Sequence, residues 1–300
     1  MKREKQSEQQ RQGYIGGSDA AVIMGMNPWK NRVQLWQEKT GEMEPADLSE
    51  NARVQWGIKL EDLVARHWAE VTGRKIRRNN FLLRSERHPW MAAHLDRQVA
   101  GGGFLEVKTA GQVGEWGPSD STLIPDHYMC QVQHYMAVTG DSKCWVAVLI
   151  GGSDFRHYTI HRNQPFIAMM VEAQEAFWKL VQNRTPPIPL SVDEAADRWP
   201  TADPDTVQHA GMELQEVLQE LAGVTKKMQQ LKKLEEAMKT KLMNVMGERE
   251  VLLVGNLKAA TWKNQTSTRL DTTRLKAEQP ELAAQYMKES SSRVFRLQWK

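Results

Sequence analysis

Between residues 15 and 183 apolar positions recur at two periods, every 3.6 residues and every second residue, with glycine-rich breaks between the runs. Leu60, Val64 and Trp68 share one face of a helix through Gln55–Trp68, and Glu61 borders that face. Strands are expected near 75–84, 91–99 and 104–109, and Gly101-Gly102-Gly103 turns the second of these into the third. A helix from about Asp126 to Thr139 follows a loop with Gly111, Gly114, Gly117 and Pro118; strands at 143–151 and 155–161 and a helix over 164–183 complete the run. Ser18 is well suited to cap an earlier helix. Helices interleaved with a mixed central sheet make an α/β layered core.

Thr185-Pro186-Pro187-Ile188-Pro189 opens a proline-rich boundary reaching Asp205. Past it, Leu214, Leu221, Met228 and Leu242 fall at one heptad position and Val217, Val224, Leu231, Met238 and Val245 at another, with Glu235 breaking the first series. The seam reads either as a coiled coil or as a long helix folded back on its own domain. Val251–Trp262 reads as a hairpin with a Gly255-Asn256 turn, a helix follows Leu270-Asp271, and Arg293–Trp299 reads as a strand. The expected organisation is a flexible tail at 1–10, a chemistry-bearing domain at 11–190, and a smaller α+β segment at 205–300 for assembly or partner binding.

Bulk properties narrow the function classes. Forty Lys and Arg against 37 Asp and Glu leave a net charge of +3, so any nucleic-acid contact rests on local patches. Arg74-Lys75-Ile76-Arg77-Arg78, with Arg84 and Arg87, is one such patch or simply solvated surface. Two cysteines, Cys130 and Cys144, make neither a disulfide scaffold nor an iron-sulfur site, and the eight histidines show no metal-binding spacing. Most tryptophans, including Trp36, Trp68, Trp145 and Trp178, sit in apolar periodic contexts and read as core. The start Met1-Lys2-Arg3-Glu4-Lys5 lacks a signal peptide's apolar stretch and no apolar run is long enough for a membrane span, which points to the cytoplasm.

Alternation places Glu106 and Lys108 on one face of their strand, and the hairpin brings Asp96 beside Glu106. Buried charge of this kind is either an ion pair or a centre that binds metal. With Glu61 in reach, three carboxylates and a lysine suit a hard cation such as Mg²⁺ that activates water.

Glu61, Asp96, Glu106-Val107-Lys108 and Gln131-Val132-Gln133-His134-Tyr135 reproduce in order the motifs of PD-(D/E)xK nucleases, and within them the chain resembles the YqaJ-type phage recombination exonucleases, relatives of lambda exonuclease. Ile15–Ala21 with Asn27-Pro28-Trp29, Leu35–Gly41, Trp56-Gly57 and Thr139-Gly140 support the resemblance. It implies a restriction-endonuclease-like core, with Asp96, Glu106, the Val107 carbonyl and Glu61 holding Mg²⁺, or Mn²⁺ as the alternative. Lys108 would orient or deprotonate the attacking water, and Gln131 and Tyr135 would face the site or form a plain polar helix face. Arg11 and Ser18 stand at the family's spacing for gripping a terminal 5′ phosphate. His94 replaces a second serine there, and Val54 matches a position that wedges the duplex, or is a buried valine. The resemblance further implies 5′ to 3′ digestion from duplex ends, a ring-shaped trimer and a single-strand annealing partner in a bacterial host of a phage or prophage. A restriction-like endonuclease, a silent DNA-end-binding protein and an interaction protein built on the heptad helix remain the alternatives.

Overall fold

The structure, a computed structural model, describes residues 2–4, 8–204, 206–288 and 291–299, with side chains from residue 11 onward. Contacts divide the chain into two units, Met1–Trp199 and Pro200–Lys300. In the first, β1 (Lys2–Glu4) and a 3-10 turn (Glu8–Gly13) precede α1 (Gly17–Ile23), α2 (Arg32–Thr40) and α3 (Ala52–Thr72). Next come β2 (Ile76–Arg78), β3 (Leu82–Arg84), β4 (Ala92–Ala93), β5 (Arg97–Val99) and β6 (Phe104–Ala110). Then follow α4 (Asp126–Thr139), β7 (Lys143–Ile150), β8 (Asp154–His161), α5 (Gln164–Gln182) and α6 (Val192–Arg198).

The central sheet has the order β2-β5-β6-β7-β8, with β6 and β7 parallel and every other pair antiparallel. This is the mixed sheet flanked by helices that the sequence predicts. Its middle strands are covered on both sides, which is why they read as continuous apolar runs. On one face Phe104, Val146, Val148 and Tyr158 pack with residues of α1, α4 and α5; on the other Leu105, Val107, Trp145 and Ala147 pack against Val64, Ala65 and Trp68 of α3. Each apolar side chain so buried contributes about 1.5–3 kcal/mol. Gly103 lies at φ +85°, and a Cβ there would sit 2.8 Å from the Lys143 carbonyl, so the turn into β6 demands glycine twice over.

Several elements differ from expectation. The runs at 75–84 and 91–99 each break in two, because β2 and β5 join the central sheet while β3 and β4 join a small sheet of order β1-β3-β4. The second break, at His94–Asp96, frees three residues from ladder bonding beside the catalytic candidates. Ser18 does not cap α1: the cap is Gly16, whose N–H donates to the Asp19 carboxylate at 3.0 Å. Part of the stretch expected as a tail pairs with β3, through Lys2–Glu4; residues 1 and 5–7 of it lie outside the described residues. The proline-rich boundary carries α6, held to α2 by Glu194, whose buried carboxylate accepts from Arg32 Nε at 3.0 Å and Nη2 at 2.9 Å and from Leu190 N–H at 2.7 Å. Trp36, Trp68 and Trp145 are buried and Trp178 partly so.

The second unit contains α7 (Gln215–Met246), the hairpin β9 (Val251–Val254) and β10 (Leu257–Thr261), α8 (Thr272–Glu278) and α9 (Pro280–Gln285). The hairpin turns at Gly255, φ +60°, as its Gly-Asn pair predicts. The heptad positions of α7 are exposed, Leu221, Met228, Val224 and Leu231 among them. Residues 293–299 form no strand, because alternation becomes a strand only where a sheet edge takes up the backbone groups. No helix among the described residues is long and apolar enough to cross a membrane.

His134 locks α4 to its neighbours, with Nδ1 3.0 Å from Gln174 Oε1 on α5 and Nε2 3.0 Å from the Ala92 carbonyl. Burial lowers its pKa from 6.5 to about 4, outweighing the two oxygens that favour the charged ring. The unfolded chain therefore takes up a proton that the native state resists, so stability is intact above pH 6.5 and falls as pH drops toward 4, by up to about 3 kcal/mol. Urea titrations at stepped pH should show this slope, and His134→Gln should flatten it.

Candidate active site

Antiparallel register pairs Arg97 with Leu105 and Gln98 with Phe104. One step back, Asp96 stands opposite Glu106, on the face that carries α4. Val107 N–H donates to Asp96 Oδ2 at 2.8 Å, so the aspartate is fastened to the strand it faces. Burial and the Glu106 charge together push the Asp96 pKa well above the carboxylate range.

Glu106 is only 3% exposed. Its Oε1 accepts from Lys108 Nζ at 2.8 Å and from Gln131 Nε2 at 2.7 Å, while its Oε2 is buried without a partner. Lys108 is partly buried; desolvation works against its charge, yet Glu106 and Asp96 prevail and hold its pKa above the ordinary value. Its Nζ sits 4.7 Å from the centre of the Tyr128 ring. Gln131 and Tyr135, one turn apart on α4, are joined by a 3.1 Å hydrogen bond, so α4 presents them to the site as a pair. Burial and Glu106 raise the Tyr135 hydroxyl's pKa well above 10 and keep it neutral.

Glu61 occupies a different position. Val107 and Leu105 point to the opposite face of the sheet, toward α3, and Arg97 shares that face with Leu105. Arg97, 3% exposed, donates to Glu61 Oε1 at 2.6 Å, to Asp62 Oδ1 at 3.0 Å and to the Asp96 carbonyl at 2.7 Å. Glu61 still adds to the charge that raises the Asp96 pKa, but its carboxylate is spoken for. Among the described residues no group of three acidic or histidine side chains is arranged around one point. The Val107 carbonyl remains a further oxygen on β6. Arg97 escaped the sequence reading, although an arginine in an apolar strand calls for acids, and Glu61-Asp62 is an adjacent pair of them.

A separate cavity of about 160 Å³ brings together Arg11, Ser18 and His94, which lie 83 residues apart in the chain at the extremes. Lys39 anchors its wall: Nζ donates to the Arg11 carbonyl at 2.6 Å, the Tyr14 carbonyl at 2.7 Å and Asp19 Oδ2 at 2.7 Å. Tyr135 lines the same cavity, so the cavity adjoins the carboxylate site. Val54, in the first turn of α3, is exposed rather than buried and lines neither place. Of the basic run, Arg74 lies over Trp145 at 4.8 Å, Arg77 bonds Gln98, and Arg78 stands 3.9 Å from Glu61.

A model of the YqaJ-like viral recombinase domain matches residues 7–142. The protein YqaJ of Bacillus subtilis (strain 168) is 32% identical over 307 residues, covering 98% of this chain and 94% of that protein. The chain belongs to the YqaJ-like viral recombinase family. Among solved structures, an alkaline exonuclease (LHK-Exo) from Laribacter hongkongensis aligns at TM-score 0.46 and 18% identity, covering 58% of this chain and 91% of that one. A phage related exonuclease from Haemophilus somnus 129PT aligns at 0.44 and 13%, with 57% and 94% covered. The span that matches the YqaJ-like domain contains every residue named above in both the carboxylate site and the Arg11 cavity, and it ends just before β7.

Gly17 of this YqaJ-like domain has a packing reason, whereas a Cβ at Gly16 would meet only ordinary contacts. At Gly17 α1 presses on α4, and a Cβ would lie 2.5 Å from Tyr135 Cε1 and 2.7 Å from Gln131 Cγ. Gly17→Ala should cost about 1–3 kcal/mol by overpacking. Gly57 makes the control: inside α3, its Cβ would meet only Thr109 Oγ1 at 3.6 Å, an ordinary contact, so Gly57→Ala should be neutral or stabilising by about 1 kcal/mol. Urea unfolding of the two variants checks the contrast.

Proposed function

We propose that this chain is a divalent-cation-dependent exonuclease that digests duplex DNA from 5′ ends and leaves 3′ single strands for recombination by annealing. The observation that carries the reading is the unpartnered, buried Oε2 of Glu106 opposite a second, partly buried carboxylate, Asp96. Two such acids side by side are unfavourable unless a cation joins them. The donor set fits one: Asp96, Glu106 and the Val107 carbonyl are hard oxygens suited to Mg²⁺, with Mn²⁺ as the alternative, and Glu61 contributes through water or through its field. A cation held there supplies Lewis acidity toward the scissile phosphate and lowers the pKa of water.

The chain's own groups do the rest. Lys108, held charged by the two carboxylates and steadied over Tyr128, orients the attacking water and faces the phosphate; its raised pKa favours this role over that of a base. Gln131 fixes the Glu106 rotamer, and Tyr135 fixes Gln131. Arg11, Ser18 and His94 form a cavity of a size and donor content suited to a terminal phosphate. Val54, exposed in the first turn of α3, is free to act as the wedge. The annealing-protein partner and the ring trimer, which the resemblance to lambda exonuclease implies, are parts of the same proposal.

Linear and covalently closed duplexes, each with Mg²⁺ or with chelator, test the reading. Only the linear substrate with Mg²⁺ should be consumed; digestion of closed circles would favour a restriction-like endonuclease, and binding without turnover a silent end-binding protein. Asp96→Asn, Glu106→Gln and Lys108→Ala should each slow digestion at least about a hundredfold while DNA affinity stays, because phosphate contacts elsewhere supply it. Substantial turnover by Glu106→Gln would sink the assignment.

End recognition yields a separate expectation. A 5′-phosphorylated duplex should be digested roughly tenfold or more faster than its 5′-hydroxyl counterpart, the worth of charge-assisted hydrogen bonds. Arg11→Ala should shrink that ratio toward one, as read from initial rates on the two substrates.

A further inference from the structure

Trp29 is 71% exposed. It is nonetheless held firmly. The N–H groups of Trp29 and Lys30 both donate to Asn27 Oδ1, at 2.8 and 2.9 Å, an Asx turn that sets the backbone with Pro28 inside it. The indole meets the His127 ring at 5.0 Å and 83°, edge to face. His127 in turn lies 4.0 Å from the Tyr128 ring, and Tyr128 carries Lys108. In the other direction the next residue, Lys30, lines the Arg11 cavity and is steadied by Glu38 at 2.6 Å. The exposed ring is thus two ring contacts from Tyr128, which carries Lys108 beside the place proposed for the scissile phosphate, and its neighbour Lys30 lines the place proposed for the terminal one. These two phosphates flank a single nucleotide. A cleft of about 470 Å³, lined by Pro28, Glu115, Trp116 and His127, opens beside it.

We infer that Trp29, braced by His127, is the stacking platform for the base of the terminal nucleotide of the digested strand. The inference rests on the nuclease reading and deepens it. A strand threaded past a metal site presents phosphates to the protein and leaves its base without a partner. An aromatic face accepts any base, so the platform suits an enzyme that digests without sequence preference. Because the Asx turn orders the indole beforehand, little side-chain entropy is lost on stacking. A protein partner could also use an exposed indole, but the ring's path of contacts through His127 and Tyr128 to Lys108 favours the nucleobase.

The test uses the full chain in chelator, where nothing is cut, and a frayed 5′-phosphorylated duplex with 2-aminopurine as the terminal base. The unmodified protein should quench the probe. Trp29→Ala should lose the quenching and weaken binding about 5- to 150-fold, and Trp29→Phe should restore most of both. With an abasic terminal nucleotide the Ala and unmodified proteins should bind alike. Undiminished quenching and affinity in Trp29→Ala overturn the inference, as does weakening that persists with the abasic end. A change in solution mass in Trp29→Ala would assign the indole to a protein contact and overturn it too. Mg²⁺-dependent digestion judges the nuclease reading separately, since these binding measurements need no turnover.

Discussion

Two carboxylates share one buried face of the central sheet, and much of the first unit is arranged around that fact. Asp96 and Glu106 repel each other in a poorly solvated place, which raises the Asp96 pKa. The chain offsets this with a lysine two residues along the same strand, a glutamine from α4 and a backbone N–H from β6. One oxygen of Glu106 is still left over. That remainder is the physical basis for assigning cation chemistry to the site, since a core selected for stability alone would place apolar groups there.

Strand alternation then sorts the remaining charges. Glu106 and Lys108 point toward α4, while Arg97, across from Leu105, points toward α3 and takes up Glu61 and Asp62. A single residue step thus separates a centre of two carboxylates and one lysine from one in which Arg78 joins Arg97 against Glu61 and Asp62. Arg97 also bonds the Asp96 carbonyl, so the two centres share a backbone. Glu61 reaches Asp96 through its field and through Arg97, which bonds both, and not through direct contact between the two carboxylates.

The α1–α2 region links this centre to the Arg11 cavity, the place proposed for a strand's end. Lys39, buried among two carbonyls and Asp19, holds the turn bearing Arg11 against the helix bearing Ser18. Gly17 lets α1 reach the Gln131–Tyr135 pair. One short helix therefore borders both the cavity and the carboxylates, which fits a reaction that counts one nucleotide from an end.

The order of helices and strands, the α4 limits, the Gly-Asn hairpin and the carboxylate-lysine strand could all be read from the sequence, because each depends on local periodicity or on turn chemistry. Asp96 opposite Glu106 was readable too, as the glycine turn and alternation sufficed. Pairing between distant segments was not. Periodicity treats 75–84 and 91–99 as single strands; only the competition of two sheets for their backbones splits them, and the second split releases Asp96. Composition marks 185–205 as a boundary, yet the Arg32–Glu194 contact draws α6 into the first unit. Glu61 could be assigned to the cluster from its helix, but the buried guanidinium that holds it lies on a strand 36 residues away. Local sequence sets which residues share a face, whereas which faces meet depends on burying apolar surface across the whole chain, and that only the tertiary structure decided.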